Sequence, residues 1–124
     1  MATSPSDQLT TTIPAMVLVL SNCPPEAAEK LARALVERRC AACVTLSEVK
    51  SVYRWKGELC IDQEVTLTAK VSLDLVDRCV STLIEHHPYE LPEVITLHVD
   101  SARSHPDYLS WVAEECRREV LSER

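Results

Sequence analysis

Two adjacent imidazoles, His86 and His87, stand in the run Leu83-Ile84-Glu85-His86-His87-Pro88-Tyr89-Glu90-Leu91-Pro92-Glu93-Val94-Ile95, which stops a helix, turns on prolines and starts a strand. Neutral imidazole is the commonest metal ligand in proteins, and its proton is favoured at the negative end of a helix, so the pair reads as a metal or pH-sensitive site. Without a third ligand the same residues read as an exposed polar helix end. A second set, Tyr53, Trp55, Glu64, Lys70, Tyr89 and Glu93, could line a small-molecule cleft; its aromatics near a hairpin also suit a subunit interface. Glu64 and Lys70 lie on one strand about 20 Å apart at the usual rise per residue, too far to act as an acid–base pair within a protomer. No nucleophile–base–orienter set can be read from the chain, so no enzymatic reaction is expected.

These residues need elements to hold them. Ala15 to Leu20 is apolar on both alternating faces, the mark of a strand covered on both sides. Ser21-Asn22-Cys23-Pro24-Pro25-Glu26 supplies capping residues and first-turn prolines for a helix whose buried stripe is Ala28, Leu31, Ala32 and Leu35. A second strand opens at Cys43-Val44-Thr45-Leu46, is interrupted or bulged around Ser47-Glu48, and continues through Val52 to Trp55. The single glycine, Gly57, stands in Lys56-Gly57-Glu58 and marks a hairpin turn needing positive φ. The third strand, Leu59 to Val71, alternates, with Val65, Leu67, Ala69 and Val71 on one face. Ser72 caps a second helix, which must end before Pro88 and so at His86-His87. A fourth strand, Val94 to Val99, precedes a last helix capped by Ser104-His105-Pro106-Asp107 and burying Tyr108, Leu109 and Val112, with Trp111 and Cys116 also at inward positions.

The 124 residues suit one domain: residues 1–12 read as a mobile polar tail and 13–124 as the folded unit. A net charge of -6 disfavours nucleic acid and anionic membrane surfaces as partners. The longest apolar run, Ile13 to Leu20, is too short to span a bilayer and has no basic residues before it, which points to a cytoplasmic protein. The six cysteines lie inside apolar segments and read mostly as small buried hydrophobes rather than disulfide partners. Cys40-x-x-Cys43 sits where a helix ends, without the helix N-terminus from which a redox thiol profits.

The order β-α-β-β-α-β plus a further helix predicts an α+β, ferredoxin-like antiparallel sheet with an extra C-terminal helix. That topology brings Cys23, His86, His87 and the hairpin around Trp55 to Cys60 to one end of the sheet, and Cys40, Cys43 and Lys70 to the other. One thiol and two imidazoles suit copper or zinc with a position left open. The second face of the sheet, apolar yet bare of helices, calls for an oligomer. An RNA-recognition domain shares the element order, but Asp62-Gln63-Glu64-Val65-Thr66 lacks the aromatics and basic residues it would need.

Ala41-Ala42-Cys43-Val44, Tyr53-x-Trp55-x-Gly57, Glu64, Lys70, His87-Pro88-Tyr89-Glu90, Pro92-Glu93 and Asp107-Tyr108-Leu109-x-Trp111 together resemble the CutA divalent-cation tolerance family, from about Met16 to Val112. The resemblance implies a homotrimer related in architecture to PII signalling proteins, its long second and third strands reaching neighbouring subunits. It also implies copper or another divalent cation as ligand, with His86 and His87 at positions to which ligation is assigned in some members. Some members carry a ligand cysteine where this chain has Ser21, and Cys23 matches a cysteine of others. Cys40 stands where the family usually has an aliphatic residue. The alternative function is that of a PII-like regulatory or scaffold trimer holding a small molecule or protein in its intersubunit clefts.

Overall fold

The structure, a computed structural model, describes residues 13–117; the tail expected over residues 1–12 and the charged end of the chain lie outside them. The elements run β1 (Met16–Cys23), α1 (Pro25–Glu37), β2 (Cys43–Trp55), β3 (Glu58–Ser72), α2 (Val76–His86), β4 (Ile95–His98) and α3 (Pro106–Glu115), with short 3-10 turns at Leu73–Leu75 and Ser101–Arg103. The sheet is antiparallel in the order β2-β3-β1-β4, as the split βαβ pattern predicts.

Alternation sorts the side chains into two layers. Val17 and Val19 of β1 pair with Val71 and Ala69 of β3, and all four are buried. They share a core with Leu31 and Leu35 of α1 and with Cys79 and Leu83 of α2. Truncating a fully buried leucine such as Leu67 to alanine would cost about 2–5 kcal/mol, the lost transfer energy plus the cavity left behind. The opposite layer is less covered: Leu18 and Leu20 are half-buried, while Ile95 and Leu97 on the β4 edge are exposed.

Several local expectations change. β1 continues through Ser21-Asn22-Cys23, so these residues pair with Leu67, Thr66 and Val65 and do not cap the helix. Pro24 takes the N-cap position without a side-chain bond, and Pro25 opens the helix. Continued strand pairing satisfies backbone groups of this segment, which outweighs the capping preference of Ser and Asn. β2 shows no bulge, its register with β3 being unbroken from Cys43↔Lys70 to Trp55↔Glu58. Ser72 bonds the Asp74 carboxylate instead of a backbone N–H. His105, not Ser104, caps α3, accepting the Asp107 N–H at Nδ1. Leu109, Val112 and Cys116 are buried as expected, but Tyr108 and Trp111 are exposed and lean on each other at 5.5 Å between ring centroids.

β1 stops level with Glu48 of β2 and Val65 of β3. Beyond that level, Val49–Trp55 and Glu58–Glu64 form a two-stranded arm roughly 20 Å long at the usual rise per residue. It turns on Lys56 (φ 51) and Gly57 (φ 81), both left-handed, as a two-residue hairpin loop requires. Val52, Leu59 and Ile61 on this arm are at least 60% exposed. An isolated two-stranded ribbon is marginal in water, so such an arm invites a partner surface.

Candidate functional site

The end of α2 and the end of β1 are tied together by His87. Extended backbone at His87 (φ -74, ψ 137) ends the helix ahead of Pro88, as the ring sterics of proline dictate. Its Nε2 donates to the Asn22 carbonyl at 2.9 Å and its Nδ1 accepts the Tyr89 N–H at 3.2 Å. Both ring nitrogens are thereby engaged, and the ring is 8% exposed. His86, in the last helical turn, lies with Nδ1 2.9 Å from the Thr82 carbonyl, so Nδ1 carries the proton and the Nε2 lone pair faces Arg38 at 3.4 Å. Cys23 is fully buried, and burial with help from the Glu64 and Glu26 carboxylates pushes its thiol up to about 11. The three residues share one corner, yet among the described residues no three His, Cys, Asp or Glu side chains are grouped closely enough to hold a metal ion.

Beside that corner lies a cleft of about 750 Å³ between the arm and the loop following α2, lined by Asn22, Tyr53, Trp55, Glu64, Tyr89 and Glu93 among others. The volume is that of a small-molecule site. Glu64, 7% exposed, accepts from the Tyr89 hydroxyl at 2.5 Å and from Asn22 Nδ2 at 3.5 Å. Burial and the Glu64 carboxylate raise the Tyr89 phenol well above its ordinary value. Burial and repulsion from Glu64 raise the Glu93 carboxyl, with His87 opposing. On the arm, Tyr53 donates to the Asp62 carboxylate, and that bond pushes its phenol up to about 12.

Five of the six expected cleft residues thus come together. Lys70 does not join them within the protomer: its ammonium sits at the other end of β3, 2.5 Å from Thr45 Oγ1 and 3.9 Å from Cys43 Sγ. Asn22 was missed. It bonds Glu64 and His87 and accepts from Thr66 Oγ1 at 2.6 Å, so it organises both the cleft and the imidazole corner. Parity would have shown it, since Asn22 continues the Leu18-Leu20 face once the strand is extended past Ser21. All six cysteines are free thiols; Cys23, Cys40, Cys79 and Cys116 are buried, and Cys43 and Cys60 half-buried.

The structure is a ferredoxin-like α+β fold with a protruding hairpin and a carboxylate-and-aromatic cleft beside its imidazole corner. Residues 17–115 match the CutA1 divalent ion tolerance protein, and the chain belongs to that family. The divalent-cation tolerance protein CutA of Pyrococcus horikoshii is 35% identical over 104 residues, 83% of this chain and 100% of that protein. Protein CutA of Mus musculus is 44% identical over 92 residues, 73% of this chain but 51% of the mouse protein; the homolog of Danio rerio is spanned over 65% of its length. The PII-like protein CutA from Nostoc sp. PCC 7120, in apo form, superposes with a TM-score of 0.81 at 44% identity, covering 83% of this chain and 99% of that one. No helix among the described residues is long and apolar enough to cross a membrane.

Proposed function

We propose that the chain acts in divalent-cation tolerance by binding copper or another divalent ion, not by catalysing a reaction, and that it does so as a cytoplasmic homotrimer. The observation that supports the metal reading is the His87–Asn22 hydrogen bond, which ties the end of α2, where His86 and His87 stand, to the end of β1, one residue from Cys23. His86 Nε2 is the exposed imidazole nitrogen of the set, and an ion reaching it would displace the Arg38 guanidinium from its lone pair. Ligation by all three entails releasing His87 from Asn22 and deprotonating Cys23, which a soft ion such as Cu(I) favours because it binds thiolate strongly. The free arm, the exposed Ile95 and Leu97 on the unpaired edge of β4, and the Tyr108–Trp111 pair support the trimer, since each offers surface that a second copy would cover.

Titration of reduced, chelator-treated protein with Cu(I) and Cu(II), alongside Cys23→Ser, His86→Ala and His87→Ala, tests the metal reading. Stoichiometric binding lost in these variants is expected; binding indifferent to all three substitutions would refute it. A second reading, a PII-like regulator with a small molecule in the cleft, is favoured by the cleft itself and by the PII-like description of the Nostoc protein.

A further inference from the structure

We propose that the cleft takes an aliphatic di- or polyamine, its ammonium groups held by the Glu64–Glu93 pair and by Glu90, and its methylene chain laid against Trp55, Tyr53 and Tyr89. The inference rests on the reading of the cleft as a small-molecule site and gives that site its ligand chemistry.

Glu64, Glu90 and Glu93 all line the cleft, against the single guanidinium of Arg54. The groups that bond Glu64 there, the Tyr89 hydroxyl and the Asn22 amide, are neutral, so they orient its charge without cancelling it. The raised proton affinity of Glu93 beside Glu64 is consistent with two carboxylates that gain from a shared cation.

The chain already seats an alkylammonium beside the cleft residues Trp55 and Glu90. Lys56 Nζ lies 5.5 Å from the centroid of the Trp55 ring and 3.8 Å from Glu90 Oε1. An ammonium between an aromatic face and a carboxylate is the recognition geometry for organic amines. Both partners of that ion pair are about 70% exposed (67% and 72%), so it is weak and displaceable by a ligand amine.

A compact divalent ion needs several ligands converging on one point, and the acidic side chains lining the cleft form no such group of three. Carboxylates at separate stations, with aromatic faces between them, suit an elongated cation carrying more than one charge.

Calorimetry on the intact oligomer, with spermidine and with Mg²⁺ at the same ionic strength, tests this. Spermidine is expected to bind about tenfold or more tightly than Mg²⁺, and to weaken about tenfold or more in both Glu93→Gln and Trp55→Leu. Lys56→Gln, which removes the competing ammonium, should tighten it. Spermidine no tighter than Mg²⁺, or undiminished in either of the first two variants, overturns the proposal. A Trp55 fluorescence response to neutral or anionic metabolites with none to spermidine would overturn the amine assignment while leaving the cleft a ligand site. Size-exclusion profiles of the variants matching the parent ensure that lost binding is not lost assembly.

Discussion

Ser21 sits in mid-sheet, pairs with Leu67, and is fully buried on the same face of β1 as Val19 and Cys23. Its hydroxyl has no hydrogen-bond partner among the described residues. Burying a hydroxyl without a partner costs about 1–3 kcal/mol of desolvation. Ser21→Ala removes that cost and leaves a void of one oxygen atom, which at ~24 cal/mol per Å³ returns only a few tenths of a kcal/mol. The variant should therefore be more stable by about 1–2 kcal/mol. In urea, with a slope of about 1–3 kcal/mol per M, the midpoint should rise by roughly 0.3–2 M with the slope unchanged. The comparison must hold protein concentration fixed, because any self-association makes apparent stability depend on it. An unchanged or lowered midpoint would refute the reasoning, since it would mean that the hydroxyl is satisfied in solution. Ser21→Val, which puts a methyl in place of the hydroxyl and adds a second methyl on Cβ, separates the two effects: gain in both variants marks the lost hydroxyl, and gain in alanine alone marks overpacking by the larger valine.

Two further outcomes follow from the same geometry. Arg39 closes α1 with a left-handed backbone (φ 60) and reaches the end of α3, its guanidinium bonding the Glu115 carbonyl at 3.2 Å and carboxylate at 3.4 Å. Arg39→Gly should be close to neutral, because relief of about 1 kcal/mol of backbone strain offsets a half-exposed ion pair, whereas Arg39→Ala loses the pair without relief and should melt lower by differential scanning calorimetry. The alkaline limb of stability should fall from about pH 9 to pH 11, because Cys23 keeps its proton to about 11 in the fold against 9.0 unfolded. The folded form then binds more protons, so stability present below pH 9 is lost as pH rises through the folded value. Cys23→Ala should flatten that limb in pH-dependent urea titrations, and an unaltered limb would rule the thiol out as its source.

The periodicities carried the fold. Alternation at Val65, Leu67, Ala69 and Val71, the helical spacing of Leu31 and Leu35, the lone Gly57 and the stop at Pro88 each fixed an element by local sterics and by which face is apolar, and the order of elements left one sheet topology. His86 and His87 could also be placed at the end of a helix, since proline forbids its continuation. Where two local rules competed, tertiary pairing decided: Ser21-Asn22-Cys23 looks like a cap and is strand, because β3 offers it backbone partners from a distant part of the chain. The same long-range pairing puts Asn22 against Thr66 and Glu64 and offers its carbonyl to His87 Nε2. Local sequence determines which residues share a face or an end. Which atoms meet there depends on register and on where each strand stops, and those are settled by hydrogen bonds between segments distant in sequence, which no local pattern encodes.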